Sequence, residues 1–319
     1  MRLFTICVAL LLSLGSMATQ AKAEAFIRLA MDPSGGITTM ASPGVGADTP
    51  FAIASVGKTK TAVAVLRLVE RGAIAMDDPV TALLPPDLLA GLRGADAVRL
   101  RHLLTMTSGL PDYYTDDWLD AALDDPERVQ SVAGAVRFAA QDRMLFTPGR
   151  AFDYSNTNYV LLGAILEQAT GMGYAEALRA EVFGPAGMGD SFVFGSRPLP
   201  EDFAARHDDR ALLRRYYSGD GLGDGGVIAS ARDVARFYRA LFVERRLLSD
   251  QMLAVMLQDA SGADYGMGIE IEDGIAGHSG GDLGFASDAR IDLARGLIAV
   301  ELVAAEDADT YWAWDRVSQ

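Results

Sequence analysis

The stretch that decides the fold is Phe51-Ala-Ile-Ala-Ser-Val-Gly-Lys58, which leads directly into an apolar helical repeat. Apolar residues recur at helical spacing from Thr61 onward, and Gly72 is placed to end the helix. A helix that begins near Ser55 puts the hydroxyl of Ser55 and the amine of Lys58 side by side on one face. A serine in this position can attack an acyl carbon while the lysine removes or relays its proton. The simpler interpretation is a serine that only caps the helix.

Lysine is rare in this chain, which contains 25 arginines and 3 lysines. Beyond the N-terminal segment, only Lys58 and Lys60 remain. A guanidinium group keeps its proton in a protein, whereas a desolvated amine can lose it, so a retained lysine indicates proton chemistry. Lys60 is two positions further along the helix and points elsewhere. We therefore expect Lys60 to be a solvated charge.

A second motif lies in Phe152-Asp-Tyr-Ser-Asn-Thr-Asn-Tyr159, just after the turn signal Thr147-Pro-Gly149. A tyrosine near a lysine, here Tyr154, can serve as a general base because the positive charge favours its phenolate. An asparagine two residues on, Asn156, can hold the lysine and donate to a substrate carbonyl. An Asx turn that opens the next helix, predicted over 159–170, explains the same residues and is compatible with that chemistry.

A third motif, Gly277-His-Ser-Gly-Gly281, lies between two apolar segments that we predict to be neighbouring strands, Tyr265 to Ile271 and Ala286 to Ile291. Small residues at this position would let a substrate backbone lie along the strand edge. Taken alone, the motif is equally compatible with a turn that contains a histidine. The three motifs together are much more specific than any one of them.

With these motifs the sequence resembles the serine β-lactamase and penicillin-recognising hydrolase superfamily. It is most similar to the branch with class C β-lactamases, D-alanyl-D-alanine carboxypeptidases, D-aminopeptidases and related esterases. The resemblance covers nearly the whole chain after the N-terminal segment and includes the stretches 103–110 and 225–233. It implies that Ser55 is the acylated nucleophile, Lys58 its proton partner and Tyr154 the base.

The resemblance also implies a set of substrate-binding residues, which are Asn156, His278, Ser279, Gly280 and Gly281. Asn156 would orient the substrate, and the backbone N–H groups of Ser55 and Gly281 would form an oxyanion hole. Many relatives carry lysine in place of His278, and that lysine helps to hold a ligand carboxylate. Because a histidine is only partly charged near neutral pH, we expect weak β-lactam turnover there. Substrates with a carboxylate should be handled relatively better as the pH falls toward 6.

The expected fold class is α/β (α+β), with an antiparallel sheet built from both chain ends, flanking helices and an inserted helical subdomain. Such an architecture is β-lactamase/transpeptidase-like. The N-terminal strands are predicted at Phe26 to Ala30 and Ile37 to Ala41, and Tyr265 to Ala304 is rich in strands. The predicted serine hydrolase domain spans 24–319, with a sheet region at 24–76 and 223–319 and a helical subdomain at 77–222.

The N-terminus predicts a signal peptide over residues 1–23. Leu3 to Leu14 is an apolar run, and Ala21-Lys22-Ala23 gives the small-x-small pattern of a cleavage site, so we place cleavage near Ala23. A short buried helix or a membrane anchor is the alternative, although the run is too short to span a bilayer. The only cysteine, Cys7, lies inside this segment, which excludes catalysis by a cysteine in the mature protein. We expect a periplasmic or secreted protein.

The composition limits the partners. A formal net charge of −15 and a pI near 4.6 argue against nucleic acid and against an anionic membrane surface. No later apolar run is long enough for stable membrane insertion. No aspartate, glutamate or histidine cluster has metal-ligand spacing, so we expect neither a metal nor another cofactor. The expected partner is a small-molecule or peptide acyl substrate.

The expected function is that of an exported serine hydrolase with a covalent acyl-enzyme on Ser55. The preferred activity resembles that of a D-alanyl-D-alanine carboxypeptidase or a D-amino-acid peptidase. The alternatives are an esterase, a class C-like β-lactamase, and a penicillin- or peptidoglycan-binding protein without turnover on the same scaffold. The acidic, aromatic segment Asp112 to Asp125 either lines the mouth of the cleft or is a solvated loop.

Overall fold

The computed structural model describes residues 25–203, 210–305, 308 and 310–319. The predicted signal peptide over 1–23 and its cleavage near Ala23 lie outside the described residues. Within the described part of the chain, no helix has both the length and the apolar character needed to cross a membrane.

Two antiparallel sheets form the framework. The larger has six strands in the order β2-β1-β9-β8-β7-β6, and the smaller has three in the order β3-β5-β4. In chain order the strands are β1 (Phe26–Met31), β2 (Ile37–Ala41), β3 (Pro50–Ala52), β4 (Phe192–Val193), β5 (Val227–Ser230), β6 (Glu270–Glu272), β7 (Ile275–Asp282), β8 (Phe285–Asp292) and β9 (Ile298–Val303).

The larger sheet joins the two ends of the chain, which confirms the predicted architecture. Strand β1 lies between β2 and β9, and Leu29 is paired with Thr39 on one side and with Val300 on the other. Because all three strands are antiparallel neighbours, the N-terminal hairpin and the C-terminal strands share one hydrogen-bonded sheet. The proposed division of the chain at residues 77 and 222 stays a prediction.

One predicted strand is wrong in its extent. A strand over Tyr265 to Ile271 was expected, but regular pairing begins only at Glu270. Gly268 has φ +72° in the left-handed region, and a Cβ there would lie 2.6 Å from the Cβ of Ala62. The chain therefore bends against the first helix instead of running straight. The motif Gly277–Gly281 lies within a strand, β7, rather than in a turn.

Helices surround the larger sheet. They are α1 (Val56–Glu70), α2 (Val80–Leu83), α3 (Pro86–Leu89), α4 (Leu100–Leu104), α5 (Asp116–Asp124), α6 (Pro126–Val129), α7 (Val132–Ala139), α8 (Asn156–Thr170), α9 (Tyr174–Leu178), α10 (Gly184–Ala186), α11 (Arg210–Tyr216), α12 (Ala231–Tyr238), α13 (Asp250–Met256) and α14 (Trp312–Ser318). A 3₁₀ turn at Ala95–Ala97 and π-helical turns at Arg179–Phe183 and Arg239–Val243 complete the set.

Helix α1 is the centre of the core. Every residue from Val56 to Leu66 is buried, because α1 packs against strands β7 and β8 of the larger sheet, against α8 and α9 and, through Lys60, against α12. Four of these buried residues, 58 to 61, are polar, and each makes a hydrogen bond inside the protein. On the other face of the sheet, α14 packs through Ala313 and Val317. The start of α1 is thereby held rigidly between the sheet and the helical part.

The smaller sheet positions the start of α1 as well. Strand β3 ends just before Ser55, and its Phe51 is paired with Ala229 of β5. Strand β5 follows the glycine-rich segment 221–226, so this segment is held beside the start of α1. A Cβ on Gly57 would lie 3.3 Å from the Cα of Gly225. Glycine at position 57 is thus explained by close packing between the two backbones.

Candidate active site

Ser55 lies at the first turn of α1 and lines a cavity of about 190 Å³. The residue before it, Ala54, has φ +43°, which lies in the left-handed region that side chains other than glycine rarely adopt. The chain therefore turns sharply between strand β3 and the helix. Strained backbone of this kind is often found where a side chain must be presented to a ligand.

Lys58 is fully buried, and its ammonium group is surrounded by three acceptors. Nζ donates to Oγ of Ser55 at 2.8 Å, to Oδ1 of Asn156 at 2.7 Å and to the backbone oxygen of Asp224 at 2.6 Å. An ammonium group has three N–H donors and no acceptor, so these contacts use all of them. The lysine is thereby fixed against the serine hydroxyl, one helical turn away.

Asn156 is held at the first position of α8 by a partly buried carboxylate. Asp112 accepts a hydrogen bond from the backbone nitrogen of Asn156 at 3.0 Å and another from its Nδ2 at 2.9 Å. This leaves Oδ1 of Asn156 pointing at Lys58. Burial raises the pKa of Asp112, and the positive charge of Lys58 acts in the opposite direction.

Tyr154 lies against the same lysine, with the centre of its ring 5.1 Å from Nζ of Lys58. Its side chain is 37% exposed and lines the cavity. The rings of Tyr265 and His278 lie behind it, at 6.2 Å and 6.1 Å between centroids. The structure thus brings Ser55, Lys58, Tyr154 and Asn156 together, although nearly 100 residues separate the two motifs.

Strand β7 passes directly over the start of α1. A Cβ on Gly280 would lie 2.9 Å from the backbone nitrogen of Ser55, so only glycine permits this approach. Gly281 lines the cavity beside Ser55. Strand β6 pairs only with the segment 275–277 of β7. Beyond that segment, the edge of β7 at the cavity has no strand partner among the described residues.

His278 does not lie where the sequence led us to expect it. The side chain is 1% exposed and is absent from the lining of the Ser55 cavity. Nδ1 lies 2.5 Å from the backbone oxygen of Ser279, and Nε2 lies 3.3 Å from Oη of Tyr265. Burial lowers the pKa of His278, although the carboxylate of Glu270, 3.4 Å away, acts in the opposite direction. The structure therefore places His278 outside the lining of the Ser55 cavity, and burial disfavours its charged form.

Ser279 also points away from Ser55. Its Oγ donates to Oε1 of Glu270 at 2.9 Å, and it lines a different cavity. Successive side chains of a strand point to opposite faces, which separates Ser279 from its neighbours in the motif. Burial alone would raise the pKa of Glu270, but the guanidinium group of Arg290, 2.6 Å from Oε2, and the hydrogen bond from the backbone nitrogen of Ser279 lower it. Ser279 is thus part of a polar cluster outside the cavity.

Within the described ranges, no three or more histidine, cysteine, aspartate or glutamate side chains are grouped to hold a metal ion. The chemistry that the cavity can support is that of a serine hydroxyl in contact with a lysine and close to a tyrosine.

The sequence from residue 28 to residue 313 matches the family described as Beta-lactamase. The chain belongs to the β-lactamase family.

Relatives in the β-lactamase family carry different names. A penicillin-binding protein of Bacillus subtilis (strain 168) is 32% identical over 264 residues, which is 74% of this chain and 56% of that protein. Esterase EstB of Burkholderia gladioli is 39% identical over 171 residues, or 51% of this chain and 42% of the esterase. The chain thus spans about half the length of these two relatives.

Solved structures of the same family superpose over most of the chain. A D-stereospecific amidohydrolase from Streptomyces sp. has a TM-score of 0.75 at 28% identity and covers 91% of this chain and 92% of its own. A penicillin-binding protein from Bacillus halodurans has a TM-score of 0.77 at 26% identity, with coverage of 91% and 94%. The fold and the assignment to a family of serine hydrolases agree with the expectation from the sequence.

Lys60 corrects another expectation. The sequence predicted a solvated charge, but Lys60 is fully buried, with Nζ donating to the backbone oxygen of Val56 at 3.0 Å. The rings of Phe237 and Tyr238 lie 4.4 Å and 5.1 Å from Nζ. Burial lowers the pKa of Lys60 well below its usual value. The face of α1 that carries Lys60 is covered by α12, which the helical spacing alone did not reveal.

The segment Asp112 to Asp125 lines the cavity, which decides between the two interpretations of it. Tyr113, Tyr114 and Trp118 are all part of the lining. Oη of Tyr113 donates to Asp224 at 2.7 Å, and burial raises the pKa of this tyrosine well above its usual value. Residues Asp116–Asp124 form helix α5 rather than a loop.

Asp112 and Asp224 belong to the site although neither lies in one of the three sequence motifs. Asp112 holds Asn156, and the backbone oxygen of Asp224 holds Lys58. The available signal for Asp224 was its place among four glycines in the segment 221–226, since dense glycine indicates close backbone approach. No local pattern marked Asp112.

Proposed function

We propose that the protein is an exported serine hydrolase that forms a covalent acyl-enzyme on Ser55. The observation that carries this proposal is the 2.8 Å contact between Nζ of Lys58 and Oγ of Ser55 at the wall of a cavity. A serine that only capped its helix would not need a buried lysine against its hydroxyl. Helix α1 indeed shows no hydrogen bond from its backbone to the side chain of Ser55.

In the proposed acylation, Oγ of Ser55 forms a bond to the acyl carbon of the substrate. The hydroxyl proton passes to Tyr154 with the help of Lys58, and the carbonyl electrons move onto the oxygen. The backbone N–H groups of Ser55 and Gly281 would stabilise that oxyanion. The oxyanion then collapses, the bond to the leaving group breaks, and the leaving group takes the proton from Tyr154.

Deacylation would use the same groups in the same roles. Tyr154 takes a proton from a water molecule, whose oxygen forms a bond to the acyl carbon. The bond to Oγ of Ser55 then breaks, and the serine recovers its proton. Asn156 would orient the acyl group during both steps. Its side chain is well placed for this role because Asp112 and Lys58 fix its orientation.

The substrate class we propose is a peptide or amide of a D-amino acid, as for a D-alanyl-D-alanine carboxypeptidase-like enzyme or a D-amino-acid peptidase. Two observations support it. The solved relative from Streptomyces is named a D-stereospecific amidohydrolase. The buried His278 does not line the cavity and offers no charge to a substrate carboxylate, which disfavours β-lactams and favours D-amino-acid amides without a carboxylate. An esterase is the second candidate, favoured by the 39% identity to EstB over half of the chain.

The proposed location, periplasmic or outside the cell, rests on the N-terminal sequence alone. Cleavage near Ala23 would release a mature protein that begins at Glu24. N-terminal sequencing of the protein from a fractionated bacterial host tests this part. A mature N-terminus at residue 24 in the periplasmic fraction is expected, and an intact Met1 in the cytoplasm would contradict it.

The enzymatic proposal is tested by offering three substrates side by side: a D-alanyl-D-alanine peptide, a short p-nitrophenyl ester and a chromogenic cephalosporin. We expect turnover of the peptide or the ester, with much weaker turnover of the cephalosporin. Ser55→Ala should abolish it, whereas the matched variant Ser318→Ala, at the end of α14, should retain it. Binding of a labelled penicillin without turnover of any substrate would instead favour the penicillin-binding protein without catalysis.

A further inference from the structure

The cavity that holds Ser55 contains buried polar atoms that the proposed acyl transfer does not use. Gln130 directly follows α6 and is 2% exposed, and neither Oε1 nor Nε2 has a hydrogen-bond partner among the described residues. Nε1 of Trp118, on α5, is also buried without a described partner. Both side chains line the cavity. Buried polar groups are nearly always satisfied, so an unpaired set at a cavity wall indicates a ligand.

The charges of the residues that line this cavity indicate the charge of the ligand group that fits it. Among the described residues that line this cavity, three are aspartates, and none is a lysine or an arginine. Two of the three carboxylates are already engaged. Asp224 accepts from Tyr113 at 2.7 Å, and Asp282 accepts from Tyr114 at 2.9 Å.

The third carboxylate is available. Asp220 is exposed and lines the cavity, and no hydrogen bond or ion pair joins its side chain to another described residue. An anionic group in this part of the cavity would find N–H donors on Trp118 and Gln130, but it would meet no positive charge and would be repelled by the carboxylate of Asp220. A cation would gain an acceptor and an opposite charge, which makes the cavity selective through both attraction and repulsion.

We infer that Trp118, Gln130 and Asp220 form a subsite, here called the amine subsite, for a primary ammonium group on the acyl part of the substrate. The carboxylate of Asp220 and Oε1 of Gln130 would accept two of the three ammonium protons. Nε1 of Trp118 would donate to an acceptor on the side chain of the same amino acid, because the acyl oxygen itself lies in the proposed oxyanion hole. The inference rests on the proposed function, because it places the acyl group of the Ser55 adduct in this cavity.

The consequence is a choice among amino-acid derivatives. An acyl donor with a free amino group fits the subsite, whereas N-acylation removes the charge and adds bulk. A donor with a carboxylate in that position is repelled by Asp220. The protein should therefore release N-terminal residues or act on free amino-acid amides and esters in preference to blocked peptides.

Binding to the Ser55→Ala protein tests the subsite separately from catalysis. D-alanine amide and N-acetyl-D-alanine amide are titrated calorimetrically at pH 6.5, where the amino group of the first is charged. We expect the free amine to bind about 10- to 100-fold more tightly, the range of a charge-assisted hydrogen bond. Adding Asp220→Asn should remove most of this preference, and the exposed Asp96→Asn should retain it.

Gln130→Leu is a second test, because it keeps the approximate volume of the side chain and removes both polar atoms of its amide group. We expect it to reduce the preference as well, and Asp220→Asn, at an exposed position, remains decisive if the Gln130 variant does not fold. Equal binding of the two amides, or a preference that survives Asp220→Asn, would overturn the subsite. A missing adduct on Ser55 in the wild-type protein would overturn the proposed function instead, and the binding result would still decide the subsite.

Discussion

A Cβ placed on Gly280 would lie 2.9 Å from the backbone nitrogen of Ser55, so strand β7 and the start of α1 approach too closely for a side chain at position 280. The same Cβ would lie 2.6 Å from Oγ of Ser287, which donates to the backbone oxygen of Ile53 at 2.8 Å. This contact sets the distance between the strand and the helix. It therefore also sets the spacing of the N–H groups of Ser55 and Gly281 that we propose for the oxyanion hole.

Gly280→Ala should lower kcat/KM by about 100-fold, because a shift of the strand by a fraction of an ångström misplaces both donors. The assay is ester or peptide turnover, with thermal unfolding to show that the variant is folded. Gly189→Ala is the matched control, since a Cβ there meets nothing within 4 Å. Full activity in Gly280→Ala would show that the close approach is not needed for catalysis.

Lys58→Arg should lower kcat/KM by about 10²- to 10⁴-fold, the usual cost of losing a general acid–base group. Arginine keeps the charge, but it cannot share a proton with Ser55 and Tyr154. Steady-state kinetics and a melting curve measure the two effects separately. Arg143→Lys, an exchange of cations at an exposed position, should be nearly silent. Substantial activity in a folded Lys58→Arg protein would reduce the lysine to an electrostatic role.

The burial of Lys60 leads to a prediction about the stability of the folded protein. Burial lowers its pKa in the folded state, so the folded protein holds fewer protons here than the unfolded chain. The contribution of Lys60 to the free energy of unfolding is therefore least favourable at a pH below the lowered pKa. It becomes more favourable as the pH rises toward the ordinary pKa of lysine, about 10.4. Lys60→Met should therefore stabilise the protein by about 1 kcal/mol or more at pH 7, and the difference should shrink toward pH 10. Urea unfolding at the two pH values measures it. A less stable Lys60→Met protein at pH 7 would contradict this account.

His278 gives the corresponding effect at acid pH. Its pKa is lowered by burial in the folded state, so the unfolded chain binds the extra proton first as the pH falls below about 6.5. Wild-type stability should fall between pH 7 and pH 5 by up to about 1.4 kcal/mol per pH unit more than that of His278→Gln. Parallel urea titrations decide this. Identical slopes would show that the imidazole titrates alike in both states.

The same burial changes the expectation for substrates. An imidazole that stays neutral cannot strengthen the binding of a carboxylate between pH 7 and pH 6. We expect the ratio of kcat/KM for a carboxylate-bearing substrate to that for an uncharged ester to stay flat over this range. The ratio is informative because effects of pH on catalysis that are common to both substrates cancel. A rise in the ratio that disappears in His278→Gln would restore the original expectation.

The helices and strands that were predicted correctly depend on residues close together in the sequence. The spacing of apolar residues from Thr61 onward predicted most of α1, and the helix predicted over 159–170 covers most of α8. The first two strands were likewise predicted close to their observed bounds. The relation of Ser55 to Lys58 followed from one helical turn. These features depend on neighbours within four residues, which one sequence displays directly.

Features that depend on packing between distant segments of the chain could not be predicted from the sequence patterns. The covering of Lys60 by α12 and the burial of His278 behind Tyr154 involve residues more than 100 positions away. The carboxylate of Asp112 reaches Asn156 across 44 residues. Side-chain identity shows that a lysine or a histidine is present, but whether it is charged depends on what covers it.

The central claim is that Ser55 carries the acyl group, and mass spectrometry tests it most directly. The protein is incubated with a fluorophosphonate or a labelled penicillin, digested, and searched for the modified peptide. We predict one adduct per chain, on the peptide that contains Ser55, and no adduct on Ser55→Ala. An adduct on another serine, or equal labelling of Ser55→Ala, would contradict the account.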